Sequence, residues 1–470
     1  MVNSLRKNAL RGFLLFLLMC GMLSFYTSAA IAATDTWDGT ISTTGFAGGD
    51  GSSGSPYLIA TGKQLAYLAS ANNDGSLDSY GKYFKLTADI DLNNNRWTPI
   101  GTNAVAFTGS FDGDGHVISN LKIEITDSTA TLTISGLFGE VSQVEKKATI
   151  KNLGVEAINI EHNYYSTKIG GLIGQCQYPT DIQNCYTTGT ITAGDSSNST
   201  NQSFRTGGLV GNYYGLGSMV NCYSQVNITI NGWSRSAGGL VGEVGGGAIV
   251  TNCYATGTVS GASANNKYGF GGLLGRLANG NPSTSTVNNS YWNSNAMTTG
   301  IGTVDADFTS NGSTAKTSAQ MQADAFFGLL NTNRGSNTEW KEWKSDTESK
   351  NGGYPMLSDV GVGRVSITVP TTQASALTFS DLMGTGMTIN WTNGNGASRA
   401  VFVKEGSGDI TSPSDSSTYT ASADWSSKGT QLGTSGYYCV YNGTGTSVGL
   451  NNLSPGTSYT VQVFEYRISG

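Results

Sequence analysis

The run Gly238-Gly239-Leu240-Val241-Gly242 is followed by Asn252-Cys253-Tyr254, and close copies of both elements recur on either side. Upstream lie Gly207-Gly208-Leu209-Val210-Gly211 with Asn221-Cys222-Tyr223, and Gly170-Gly171-Leu172-Ile173-Gly174 with Asn184-Cys185-Tyr186. Downstream, Gly271-Gly272-Leu273-Leu274-Gly275 leads to Asn289-Ser290-Tyr291, and degenerate copies precede the series with Asn152 and Asn120. Leu172, Leu209 and Leu240 stand at one constant offset from Cys185, Cys222 and Cys253, so register is kept. A period of about 30–40 residues restricts the chain to a solenoid, a propeller or an array. Short β-branched and aliphatic runs broken by Gly and Asn, without helical apolar spacing, exclude helical repeats. Propeller blades need four strands each, whereas three short strands per repeat fit one coil of a right-handed parallel β-helix. Stacked at ~4.8 Å, the asparagines of successive coils form a ladder and can take the left-handed backbone of a coil corner. Cys185, Cys222 and Cys253 then form a thiol ladder, buried and reduced because all three point the same way. The glycines permit a tight corner or a close backbone approach.

This pairing of a Gly-Gly-Leu-Val-Gly run with Asn-Cys-Tyr-Ala-Thr-Gly resembles the GLUG motif of bacterial surface and secreted proteins, including regions of some immunoglobulin A peptidases. The likeness extends from about Gly136 to Trp292. It implies a bacterial extracellular β-solenoid and no catalytic residue.

Residues 1–32 carry Arg6, Lys7 and Arg11, an apolar run from Phe13 to Leu23, and Ala30-Ile31-Ala32. That order reads as a secretory signal peptide, and no later stretch resembles an integral membrane segment of the mature chain. Charged residues are only 12% and the net charge is -6, so no basic composition invites nucleic acid. The six cysteines leave an odd remainder once Cys20 goes with the signal, which argues against a disulfide framework.

Residues 33–82 read as an N-terminal cap region. There Thr61-Gly62-Lys63-Gln64 has capping-box spacing and opens a short helix with Leu65 and Leu68 on one face, ending by Asn72-Asn73-Asp74-Gly75. The β-helix is expected over 83–300 and a C-terminal cap over 301–360, with a second helix from Thr317 and the aromatics Trp340 and Trp343. Beyond 365 the pattern alternates. Met387, Ile389 and Trp391 share one strand face, and Leu453-Ser454-Pro455-Gly456-Thr457-Ser458-Tyr459 resembles the tyrosine-corner signature of fibronectin type III domains. The class expected for 365–470 is a fibronectin type III-like β-sandwich, incomplete because such a fold needs about seven strands.

Candidate chemistry is sparse. Asp112-Gly113-Asp114-Gly115-His116 has alternating carboxylates, but a Ca²⁺ loop needs further oxygen ligands and a closing Glu, so a coil corner explains it better. The pairs Asp89 with Asp91 and Asp305 with Asp307 have the residue types for glycoside hydrolysis but are ordinary among 32 acidic residues. No zinc-protease or phosphate-loop motif occurs. The expectation is no catalytic residue, no metal and no cofactor. Aromatics do gather beside the glycine runs: Tyr164, Tyr165, Tyr213, Tyr214, Trp233 and Tyr268. In register they would either make a ladder of rings suited to sugar faces or an extended peptide, or pack down over the coil corners and only seal the core. The chain therefore reads as a secreted, extracellular or surface-attached non-enzymatic binding and adhesion module for a glycan or extracellular protein. The alternative is the substrate-binding part of a larger secreted enzyme acting on polysaccharide or protein.

Overall fold

The computed structural model describes residues 35–125, 133–142, 147–163, 168–194, 204–231, 234–261, 269–278, 284–305, 312–363, 370, 372–409, 411–413 and 419–466. The expected signal peptide lies outside them. Contacts divide the chain into two compact units, one of 32–365 and one built on 366–470.

The first unit is a parallel β-solenoid. In the repeat around Gly171 the chain runs through the strands Lys168–Gly170, Ile173–Cys176 and Thr180–Ala193. Equivalent strands of successive coils pair in parallel, giving a five-stranded, a six-stranded and a seventeen-stranded sheet. Register follows the motif, with Ile173 opposite Val210, Val210 opposite Val241, and Val241 opposite Leu274. Leu172, Leu209, Leu240 and Leu273 are fully buried in one core that runs the length of the stack. Each such leucine stabilises the coil by ~1.5–3 kcal/mol relative to exposure.

The glycines serve close approach. A Cβ at Gly211 would lie 2.5 Å from the Ile169 nitrogen and 2.6 Å from the Gly174 oxygen. At Gly242 it would lie 2.4 Å from the Gly211 oxygen and 2.6 Å from the Thr206 nitrogen. The five- and six-stranded sheets thus meet backbone to backbone, and any side chain there would separate them.

The asparagines make the opposite corner. Asn152, Asn184, Asn221 and Asn252 have φ of 54°, 52°, 58° and 55°, the left-handed region that Asn tolerates. Each donates through Nδ2 to Oδ1 of the preceding rung at 2.9 Å, from Asn252 to Asn221 to Asn184 to Asn152. Asn152 continues the row onto Asp112, at 2.9 Å. Asn289 keeps the positive φ, but its side chain is exposed and Asn252 Oδ1 is left without a partner. Beside this ladder the thiols stack as expected: the backbone N–H of Cys185 donates to Cys222 Sγ and that of Cys222 to Cys253 Sγ, both at 3.4 Å.

Both terminal regions do more than cap. The N-terminal helix spans Gly62–Asn73, with Thr61 accepting from the Gln64 nitrogen and Leu65 and Leu68 buried. The strands Asp35–Thr36 and Tyr57–Ile59 already join the wide sheet through Ile90–Asp91 and Tyr83–Leu86. Coil pairing therefore begins ahead of Tyr83.

At the other end Ser313–Lys316 adds a last strand. The chain then turns back through helices Ser318–Gln322 and Asp324–Arg334 and runs along the asparagine flank as a strap to Gly363. Tyr186, Tyr223 and Tyr254 stack face to face at 4.7 and 4.9 Å between centroids. Together with Tyr291 they are packed beneath Phe326, Leu330, Trp343, Leu357 and Val360 of the strap. Asn221 makes four side-chain bonds there. Nδ2 donates to Asn184 and to the Lys341 oxygen at 2.8 Å, and Oδ1 accepts from Asn252 and from Trp343 Nε1 at 2.6 Å.

Among the described residues the second unit holds two three-stranded antiparallel sheets. One runs Ser375–Met383, Gly386–Thr392, Ser447–Leu450, and the other Tyr438–Gly443, Ser398–Glu405, Tyr459–Tyr466. Ile389, Trp391, Val401, Val403 and Tyr459 pack in one core between them, as in a β-sandwich. Arg399 and Glu465 form a buried ion pair at 2.8 Å, and Glu465 also accepts from the backbone of Gly394 and Gly396. Those extra bonds offset the desolvation of the pair.

Candidate functional site

The expected ring ladder divides when residues are located. Tyr164, Tyr165, Trp233 and Tyr268 lie outside the described residues. Tyr213 is a correction: its ring is 1% exposed, its hydroxyl donates to the Thr180 oxygen at 2.7 Å, and burial raises its pKa well above the usual phenol value. It is a core residue. Strand alternation turns its neighbour Tyr214 outward, where it is half-buried against Gly245 and Gly246 of the next coil, positions at which a Cβ would strike the ring.

Tyr214 has company that the sequence reading missed. Tyr178, Leu216 and Ile249 are 44%, 48% and 41% exposed on successive coils, at the corner leading from the six-stranded to the wide sheet. Gly215 lies against the Tyr178 backbone, and the Ile249 nitrogen donates to the Gly217 oxygen at 2.9 Å. The three lie near one corner on successive coils but at different register positions, with Gly215 against Tyr178 and Ser218 opposite Ile249.

Just before that corner the same strands carry a polar row: Glu140, Gln175, Asn212, Glu243, Arg276 and Thr303 occupy equivalent positions on the six-stranded sheet. Asn212 and Tyr214 are two residues apart and so share a face. From the adjoining five-stranded sheet Arg205 and Arg235 reach Glu243 at 3.3 and 3.0 Å, and Arg276 reaches it at 3.4 Å. Arg276 also binds Asp305 through two nitrogens, at 3.1 and 2.7 Å. Burial pulls the Lys168 pKa down, with Arg205 adding to the effect, and burial raises that of Glu140. The signal for this row was present in the sequence. Each of Glu140, Gln175, Asn212, Glu243 and Arg276 directly follows the last glycine of its run.

The acidic candidates act as corner chemistry. Asp112 Oδ1 accepts from the Asp114 nitrogen and from Asn152, and Lys151 approaches its other oxygen at 3.3 Å. Asp114 has φ 51° and pairs with Lys85. His116 Nδ1 lies 3.0 Å from Asp89, and Asp91 accepts from Asn120. Asp305 is held by Arg276, and Asp307 lies outside the described residues. Glu156 accepts from the Tyr186 hydroxyl, and burial and nearby Asp89 raise its pKa despite that bond. Among the described residues no group of three or more His, Cys, Asp or Glu side chains could hold a metal ion. Cys176, Cys185, Cys222, Cys253 and Cys439 are free and buried. Burial raises the pKa of Cys222 well above the usual thiol value and that of Cys439 to about 11, which makes both poor nucleophiles.

The GLUG motif model matches residues 234–260. Over 129 residues the chain is 31% identical to a protein of Evansella cellulosilytica named as a Gly-rich membrane protein, covering 27% of this chain and 14% of that one. Over 189 residues it is 35% identical to the halomucin of Haloquadratum walsbyi, covering 37% of this chain and 2% of that one. The chain thus spans only a small part of the length of these relatives. Among the described residues no helix is long and apolar enough to cross a membrane.

Proposed function

We propose that this protein is a secreted or cell-surface, non-enzymatic binding module whose solenoid offers one lateral edge to a glycan or an extracellular protein. The observation that carries the reading is the gathering of the exposed Tyr178, Leu216 and Ile249 and the half-buried Tyr214 near one corner of successive coils, following strands that carry a polar row. Rings with hydrogen-bonding neighbours suit sugar faces. The names of the relatives, a membrane protein and a halomucin, agree with a place at the cell surface. The C-terminal sandwich serves as a fibronectin type III-like spacer. In support, the Tyr459 hydroxyl accepts from the Ser454 nitrogen at 2.8 Å, the bond that defines a tyrosine corner. A glycan and matrix-protein array tests the reading: wild type should bind at least one ligand class, and Tyr178→Ala with Tyr214→Ala should abolish that binding while the protein stays folded. Equal binding by both proteins would remove it.

An enzymatic reading has one favourable arrangement, the shallow pocket where Asp89 and Glu156 meet Gly361 and Val362. A carboxyl with a raised pKa beside a second carboxylate is the pattern of an acid and base pair. Hydrolysis of a bound polymer, lost in Glu156→Gln, would replace the binding-module reading.

A further inference from the structure

We propose that the lateral edge takes a polyanionic glycan, a uronate- or sulfate-bearing chain laid along the solenoid axis across Lys168, Arg205, Arg235 and Arg276. This rests on the binding-module reading and names its ligand class.

Three observations support it. The first is charge. Among the described residues this edge gathers Lys168, Arg205, Arg235 and Arg276 against Glu140, Glu243 and Asp305, one cation more than carboxylates, on a chain whose net charge is -6. Three guanidinium groups lie within 3.4 Å of the single carboxylate of Glu243, so like charges are pressed together that an unconstrained fold would separate. An incoming anion relieves that repulsion.

The second is incomplete satisfaction. Asn212 is 8% exposed and its Oδ1 has no hydrogen-bond partner, and Arg205 Nε makes an ion pair without a hydrogen bond. These lie in the middle of the row, whereas on the opposite flank Asn184 and Asn221 pair on both sides and the unpartnered Oδ1 is that of Asn252, the last rung of the ladder. Polar arrays built for stability satisfy their members, and departures mark functional surfaces.

The third is geometry. The Arg205, Arg235 and Arg276 side chains keep 18%, 26% and 14% of their surface exposed while Glu243 keeps 4%, so around Glu243 solvent meets the arginines first, with Asp305 at 18% the exposed carboxylate of the edge. Coils repeat at ~4.8 Å, on the scale of one sugar ring. Tyr214 lies two residues beyond Asn212 on the same strand, and Tyr178 three residues beyond Gln175 at the following corner, where the apolar faces of those rings would rest. Guanidinium is also the group best matched to carboxylate and sulfate oxygens.

The test measures binding of the full chain to polygalacturonate, dextran sulfate, neutral dextran and duplex DNA over a range of salt. Binding to either anionic glycan should exceed that to neutral dextran and fall steeply as salt shortens the screening length from ~10 Å toward ~3 Å. The first two ligands separate carboxylate from sulfate preference. Arg235→Gln should weaken binding roughly five- to tenfold. Glu243→Gln removes the internal competitor and should strengthen it, an opposite sign that loss of folding cannot produce. Neutral-glycan binding indifferent to Arg235→Gln would overturn this proposal and leave the binding-module reading standing. Absence of any glycan or protein binding overturns both. DNA bound as tightly as the glycans would also overturn it, since the edge would then be a general anion exchanger.

Discussion

The two long sides of the solenoid solve the same stacking problem in opposite ways. On the asparagine flank identical residues repeat coil after coil, so each can serve its neighbour, and a strap from the same chain takes up most of the remaining donors and acceptors, Asn252 Oδ1 excepted. On the glycine side the equivalent position changes from Glu140 to Gln175, Asn212, Glu243 and Arg276, a largely buried row reached from the neighbouring sheet by the partly exposed Arg205 and Arg235. Repetition makes a side self-sufficient. Variation pairs the charges with one another but leaves Asn212 Oδ1 and Arg205 Nε without a hydrogen bond.

The sharpest way to break this contrast is to damage the covered flank. Trp343 is buried against Tyr223 and Tyr254 at 6.0 and 5.5 Å and donates to Asn221. Trp343→Ala should destabilise the solenoid by about 3–5 kcal/mol, read as a lower denaturation midpoint with earlier exposure of tyrosine fluorescence. A loss under 1 kcal/mol would mean that the strap is a passive covering. Next, Asn221→Ala should cost about 3–4 kcal/mol, combining the left-handed backbone with unpaired groups at Trp343 and Lys341. Asn289→Ala keeps only the backbone part, about 1–2 kcal/mol. Equal losses at the two positions would show that backbone conformation, not the ladder, carries the stability.

The charged row should be more forgiving. Arg276→Gln removes largely buried contacts to both Glu243 and Asp305, and because Glu243 keeps Arg205 and Arg235 the loss should be about 1–2 kcal/mol. A flank-sized loss would make that side structural too. The smallest effect is pH-dependent. Because the folded-state pKa of Glu156 is raised, its ionised form costs stability in neutral solution, and that cost disappears as pH falls through the folded value. Glu156→Gln should therefore melt higher than wild type at pH ~7, with the gap closing by pH ~4. A gap independent of pH would sink the assignment.

What could be read from the sequence was whatever the period governs. Constant offsets gave the asparagine corner and the thiol stack, and Thr61 with Gln64 gave the first helix. The strap escaped because its contacts join residues as distant as Asn221 and Lys341, and no spacing rule links them. Tyr213 was misjudged for a local reason. In a strand the face of a ring depends on parity, and Tyr213 takes the position of the buried Cys176 in the preceding coil, which the repeat period alone does not reveal. Tyr178 was overlooked because it has no aromatic counterpart in the following coil, where Gly215 replaces it.

The strap also bears on how such a chain reaches its final form. A solenoid held only by neighbouring coils can lengthen turn by turn, each turn gaining or losing order almost independently. Here a single segment ties Gly115 to Gly361 and Asn252 to Leu330. Those loop closures come late, since long-range contacts are slow to form. Assembly can thus proceed coil by coil, yet the finished rod should come apart as a whole and only after the tie is released. It is a zipper that fastens tooth by tooth and is then held by a clasp.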